Sequence, residues 1–215
     1  MILKKVIDSY RKAYKEHGNS LASLFIPKGR QSERFDSLTT FMVEDASILD
    51  FGCGFGHLAI YLKNKFSNFK YEGCDIVGDF ITKNNKEIGD GDELFYLIDD
   101  FNGVEKKYDF IVAAGVFNLL YSDSLEFHVK IVQETISHLF KKTNKVLSIN
   151  FMTDQVDFQA PGSYHQNVVE IYNYCNINLS KRIVVDQSYM PFEYTIHVFK
   201  DDSITDPVNV YKAHG

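Results

Sequence analysis

The chain has 215 residues and a net charge of −6 at pH 7, with 45% of its residues hydrophobic and 14% aromatic. That is enough apolar material for one sizeable core, and no second domain is required. The acidic balance, with Lys and Arg scattered, offers a nucleic-acid backbone little attraction, and no apolar run is long enough to cross a bilayer, so a small polar substrate is the expected partner.

In chain order, residues 1–17 place Leu3, Val6, Ile7, Tyr10, Ala13 and Tyr14 at helical spacing, and His17-Gly18 closes an amphipathic N-terminal helix. After a loop with Pro27 and Gly29, a second helix is expected to start at a Ser32 cap and to present Phe35, Leu38, Phe41 and Met42. Ile48, Leu49 and Phe51 then read as a short buried strand that runs into Gly52, Gly54 and Gly56, and the helix beyond carries Leu58, Ala59 and Leu62 on one face. Such a turn leaves bare main chain where a nucleotide-like ligand can lie, and the first N–H groups of the helix suit an anion. The spacing is Gly-x-Gly-x-Gly rather than the Gly-x-Gly-x-x-Gly usual for dinucleotides, and a purely structural turn is the competing explanation.

A second strand, residues 69–75, ends on Asp75 roughly 20 residues beyond the turn, where a carboxylate can accept both ribose hydroxyl protons. A third, residues 94–98, stops at Asp99-Asp100-Phe101, and a fourth, residues 108–114, stops at Gly115. Only a loop or one turn fits between Asp100 and Tyr108, so this crossover is unusually short. A helix capped by Ser122 or Asp123 follows, with Leu125, Val129, Val132, Ile136, Leu139 and Phe140 as its apolar stripe. Residues 145–151 form a fifth strand, and a long polar loop, residues 153–166, follows at the ligand edge. Residues 182–189 and 194–200 flank Met190-Pro191-Phe192-Glu193 as an antiparallel hairpin, and the tail after Asp201 is expected to fray. In an open parallel sheet ligands bind outside the carboxyl ends of the strands, so the polar strand ends converge on one edge.

The stretches ILDFGCGFG, GCDI, LIDDF and YDFIVAAGVFNLL, in this order, resemble the class I S-adenosylmethionine-dependent methyltransferases from Ser47 to the last strand. The resemblance implies an α/β fold: a Rossmann-like, doubly wound seven-stranded sheet, mostly parallel with a C-terminal antiparallel hairpin. One domain is expected, with an N-terminal helical cap over residues 1–44, the core over 45–200 and the tail over 201–215. It implies S-adenosylmethionine as cofactor. Gly52, Gly54 and Gly56 would flank its methionine moiety, Asp50 would sit behind the turn, and Asp75 would bind the ribose. Asp100 and the Phe101 amide would hold the adenine edge, with Asp99 an alternative to Asp100, and Ile76, Ala114 and Gly115 complete the cofactor-binding set. N-terminal helices often lie over the ligand edge in this family, which makes Tyr10, His17, Gln31 and Arg34 candidates for contact. Arg34 is the first of these, as a fork on the methionine carboxylate, with a solvated surface charge as its plainer alternative.

The implied chemistry is an in-line displacement at a methyl group on positive sulfur, which needs alignment foremost and a base only where the attacking atom carries a tightly held proton. The loops after the fourth and fifth strands supply Asn118, Tyr121, Asn150, Asp154, Tyr164 and His165. His165 is the first choice for a base, with Asn118 and Asp154 as further catalytic candidates, against the plainer alternative of a solvated loop histidine. His57 covers the ligand or faces solvent. In place of the Asn/Asp-Pro-Pro-aromatic tetrad of nucleobase amino-methyltransferases the chain has Val116-Phe-Asn-Leu-Leu120, which disfavours a nucleic-acid acceptor. Asp123 with Asp154 is too thin a carboxylate set for magnesium, and no metal is expected. Cys53, Cys74 and Cys175 form no C-x-x-C pair, and their odd number without a secretory leader points to reduced thiols in the cytoplasm, Cys53 as a packing residue. The expected activity is methyl transfer to a small molecule or a glycan or lipid precursor. The arrangement is also similar to bacterial methyltransferases with a helical cap and a GVFN-like fourth-strand end. A nicotinamide-dependent oxidoreductase and a non-catalytic S-adenosylmethionine-binding subunit are the alternatives, and the oligomeric state is left open.

Overall fold

Five strands, β1 (Ser47–Phe51), β2 (Lys70–Asp75), β3 (Glu93–Leu97), β4 (Tyr108–Ala114) and β5 (Thr143–Met152), join a C-terminal pair, β6 (Ile183–Asp186) and β7 (Glu193–Phe199), in one sheet ordered β3-β2-β1-β4-β5-β7-β6. The structure is a computed structural model and describes residues 2–25, 30–89 and 93–200. The loop with Pro27 and Gly29 and the expected fraying tail lie outside the described residues. Neighbours from β1 to β5 pair in parallel, and β7 runs antiparallel to both β5 and β6. The strand order reverses between β1 and β4, which opens a crevice at their carboxyl ends.

Helices α1 (Ile2–His17), α2 (Gln31–Leu38), α3 (His57–Lys65), α4 (Gly78–Glu87), α5 (Leu125–Lys142) and α6 (Val168–Asn178) cover the sheet, with single 3-10 turns at Leu21–Leu24 and Val116–Asn118. The central strands are apolar on both faces because helices lie on both sides. Leu49, Phe51, Ile111 and Ile149 pack with Val132, Ile136 and Leu139 of α5 and Val6 of α1. Ile48, Phe110, Val112 and Val146 point the other way, toward Phe35 and Leu38 of α2 and Leu58, Ala59 and Leu62 of α3. The seven strands, the hairpin and the short crossover after β3 match the expected architecture.

Three local expectations are corrected. Helix α2 begins after Arg30, which is left-handed at φ 64 and gives no side-chain cap, while the Ser32 hydroxyl turns to Glu33. It ends at Leu38, where the Thr39 hydroxyl donates back to the Phe35 carbonyl, so Phe41 and Met42 pack beyond the helix. The cap of α5 is Ser124, accepting from the Phe127 amide, and Ser122 instead accepts from the Ser124 amide. Helix α6 was hidden in sequence because it buries little more than Ile171 and Cys175, and its start is written in Asn167, whose side chain accepts from the Val169 and Glu170 amides.

Candidate active site

β1 hands over to α3 through a turn whose glycines Gly52, Gly54 and Gly56 have φ values of 75, 51 and 70, a region that residues with a Cβ avoid. The Gly52 and Cys53 amides both donate to the Cys74 carbonyl, at 2.8 and 2.9 Å, which ties the turn to the end of β2. Asn84 of α4, buried, donates to the Gly54 carbonyl at 2.8 Å. A Cβ on Gly52 would stand 2.5 Å from Val116 Cγ2, and one on Gly54 3.1 Å from Leu24 Cδ2, so these two side chains cover the turn. A Cβ on Gly56 would instead stand 2.7 Å from Ile88 Cδ1 and 3.1 Å from the Phe95 ring. Gly56 is therefore also required by packing against the core.

Asp75 ends β2 at the crevice and is 8% exposed. Its Oδ2 accepts from the Gly54 amide and its Oδ1 from the Val77 amide, both at 2.9 Å. Burial pushes its carboxyl up to about 6, against the pull of these amides. Each oxygen keeps a lone pair for a further donor. Asp50 lies behind the turn, as expected. Its Oδ2 accepts from the Tyr71 hydroxyl at 2.7 Å, its Oδ1 has no partner, and burial pushes it up to about 7. The Tyr10 ring packs against Phe25 and Phe80, and its hydroxyl is pushed up by burial and then by the charge of Asp75. Burial raises the Cys53 thiol well above its ordinary range, which suits packing and not nucleophilic attack.

After β3, Asp99 and Asp100 are both exposed. Asp100 Oδ1 accepts from the Asn102 amide at 2.7 Å and so closes its own turn. The Phe101 side chain is buried, 4.9 Å from Tyr121 and 6.4 Å from Phe51 between ring centroids, which leaves only its main chain for a ligand. Ile76, Ala114 and Gly115 are half-buried at the strand ends.

Arg34 does not stand where the sequence suggested. Its Nε and Nη2 donate to Oε2 and Oε1 of Glu193 at 2.7 and 2.6 Å, with both side chains largely buried. The fork is present, but its partner is a carboxylate of β7, and the guanidinium is not a free clamp for an anion. Glu193 Oε2 also accepts from Asn150 Nδ2 at 3.0 Å. No local pattern could have announced a pair 159 positions apart.

The loop after β5 is laced to the turn after β4. The Tyr164 amide donates to the Asn118 carbonyl at 2.8 Å, and Leu119 bridges Ser163. This brings Asn118 and His165 to the same edge. His165 Nδ1 lies 2.7 Å from the Thr153 carbonyl, which can only accept, so Nδ1 carries the proton and Nε2 of the neutral ring keeps its lone pair. Asp154 is engaged elsewhere: Oδ2 accepts from Asn167 Nδ2 at 2.7 Å and braces the cap of α6. Gln31 Nε2 is 3.3 Å from His57 Nδ1, and His57 is held below its usual range by burial and then by Lys83. His17 is exposed beside Glu16. Asp123 is exposed and pairs with Lys5, and among the described residues no group of three or more His, Cys, Asp or Glu is placed to hold a metal.

Residues 49–149 match the family model described as a methyltransferase domain. This stretch, a little under half of the chain, reads as a methyltransferase domain of the class I S-adenosylmethionine-dependent type. The methyltransferase is 25% identical over 157 residues to a Mycobacterium tuberculosis protein named as a methyltransferase, covering 72% of this chain and 93% of that one. It is 24% identical over 155 residues to a malonyl-[acyl-carrier protein] O-methyltransferase of Priestia megaterium, covering 71% of this chain but only 51% of that protein, so it spans about half that relative's length. Among solved structures, the magnesium protoporphyrin IX methyltransferase of Synechocystis PCC 6803 with bound S-adenosylhomocysteine superposes with a TM-score of 0.65 at 17% identity, over 91% of this chain and 94% of that one. At that identity the likeness concerns the fold. Among the described residues no helix of the methyltransferase is long and apolar enough to cross a membrane.

Proposed function

We propose that the methyltransferase binds S-adenosylmethionine along the carboxyl edge of β1, β2 and β3 and passes its methyl group to a small-molecule acceptor, such as a glycan or lipid precursor, between the loops after β4 and β5. The observation that carries this is Asp75, a buried carboxylate fixed by two amides with lone pairs to spare for a sugar diol. The main chain of Gly52 and Gly54 forms the surface on which the cofactor lies once Leu24 has moved aside, with Asp50 behind it and Ile76 beside the sugar. Asp99 takes the adenine amino group in preference to Asp100, whose carboxylate closes its own turn, and the Phe101 amide, Ala114 and Gly115 complete the edge. The cofactor supplies a methyl group already activated by positive sulfur. The residues of the chain then have to align the acceptor and exclude water. Asn118 and His165 stand at that edge, and His165 Nε2 takes the proton where the acceptor must lose one. Leu24 and Val116 cover the turn, so cofactor entry displaces Leu24. Three buried, unpaired cysteines suit a reducing cytoplasm.

A nicotinamide-dependent enzyme would share the glycine turn and the ribose carboxylate, and titration calorimetry separates the two. S-adenosylhomocysteine is expected to give a saturable isotherm and NAD none at the same concentrations. Saturable NAD binding with no response to S-adenosylhomocysteine would overturn the assignment.

A further inference from the structure

Two carboxamides outside the cofactor edge have their orientations forced by their surroundings, and the forced atoms face one gap. Asn150, at the end of β5, is fully buried, and its Nδ2 donates to the Tyr189 hydroxyl at 2.8 Å and to Glu193 Oε2 at 3.0 Å. Glu193, ionised in its pair with Arg34, can only accept, so a flipped amide would set oxygen against oxygen. Asn150 Oδ1 is therefore turned away from Tyr189 and Glu193, and it is buried without a partner. Asn118, in the turn after β4, accepts from the Met152 amide through Oδ1 at 3.0 Å, which fixes its Nδ2 on the opposite side. Both atoms border the space that Gly115 leaves open. A Cβ on Gly115 would stand 3.4 Å from Asn118 Nδ2 and 4.0 Å from Asn150 Oδ1. Gly115, Val116 and Asn118 are half-buried, and Asn150 Oδ1 is closed off from solvent at the inner end of this space.

We propose that Asn118 and Asn150 recognise the methyl acceptor through one neutral group that both donates and accepts a hydrogen bond, a hydroxyl or a carboxamide, seated beside Gly115. This rests on the methyltransferase site proposed above. The buried Asn150 oxygen demands a donor, and the Asn118 amide offers a hydrogen to an acceptor. A hydroxyl satisfies both with one oxygen; a carboxamide does so with its N–H and its carbonyl. A carboxylate has only lone pairs to offer and would meet Asn150 Oδ1 as oxygen against oxygen. The Glu193 charge behind Asn150 is matched by Arg34, so no net positive charge compensates for an anion there.

The test is nuclear magnetic resonance of the full chain labelled with 15N, titrated with benzamide, benzyl alcohol and benzoate, with and without saturating S-adenosylhomocysteine. The side-chain amide signals of Asn118 and Asn150 are expected to shift with benzamide and benzyl alcohol, and benzoate to bind at least tenfold more weakly. Asn118→Asp keeps an oxygen for the Met152 amide and replaces the donor, so benzamide binding is expected to fall at least tenfold while S-adenosylhomocysteine binds as before. Equal binding of benzoate, unchanged benzamide binding by Asn118→Asp, or no saturable shift with either neutral compound would overturn the proposal. Failure of S-adenosylhomocysteine to bind the unmodified chain would instead remove the cofactor assignment, and the cofactor-free titrations still judge the asparagine pair.

Discussion

Replacing Asp75 by Ala is expected to weaken S-adenosylhomocysteine binding by about 1–3 kcal/mol, roughly 5- to 150-fold, in calorimetry at pH 8. The variant would leave a ribose diol without its acceptor and would also free the Gly54 and Val77 amides that shape the turn. Asp75→Asn loses one of the two amide acceptors as well as a hydroxyl acceptor, so the two effects are separated by the melting temperature of the ligand-free variant: a turn-shaping role alone predicts that affinity and melting temperature fall together, a ribose role that affinity falls further. Acid should imitate the substitution. The carboxyl of Asp75 is pushed up to about 6, and a proton there consumes a lone pair that a ribose hydroxyl would use, so affinity is expected to fall as pH drops through 6, at most tenfold per pH unit. Stability should move the opposite way. Asp75 and Asp50 hold their protons more tightly folded than unfolded, so stability from these two groups is greatest in acid and declines as pH rises from about 4 through 6 and 7. Wild-type affinity in Asp75→Ala would take this residue out of the site.

Arg34→Ala is expected to destabilise the fold by about 3–5 kcal/mol, a fall in melting temperature of roughly 10 °C for a chain of this size, because it leaves the buried Glu193 carboxylate unpaired. The pair itself adds little net stability, since its mutual attraction repays a large desolvation cost. Replacing both partners, as Arg34→Leu with Glu193→Leu, should therefore recover part of the loss. Glu193 also fixes the Asn150 amide, so the damage should extend to the ends of β5 and β7. An unchanged melting temperature together with weakened S-adenosylhomocysteine binding would return Arg34 to the role of cofactor clamp.

Elements with a strong local pattern were legible from sequence alone. β4 is an apolar run broken only by Asp109, preceded by Lys106-Lys107 and stopped by Gly115, and the residues expected for it are those it occupies, Tyr108–Ala114. The glycine turn and the Asp75 strand end were legible too, because closely spaced glycines and a carboxylate at a fixed distance beyond them are signals carried by the sequence itself. Where the structure departs, the cause is long-range or weakly amphipathic. Arg34 answers to Glu193, a contact that no window of neighbouring residues contains. Leu24 carries no local signal of its place, yet it lies on the turn. α6 has too small a buried face for periodicity to mark it. Several side chains near α5 could have capped it, and only the chain path selects Ser124.

The central claim is that an adenosyl group lies on the glycine turn with its sugar on Asp75. A crystal structure of the full chain with S-adenosylhomocysteine tests it most directly. The ribose hydroxyls are expected within hydrogen-bond distance of both Asp75 oxygens, with Leu24 moved off Gly54 and the sulfur facing the gap beside Gly115. A saturated complex with the ligand elsewhere, and Leu24 still seated on the turn, would contradict it.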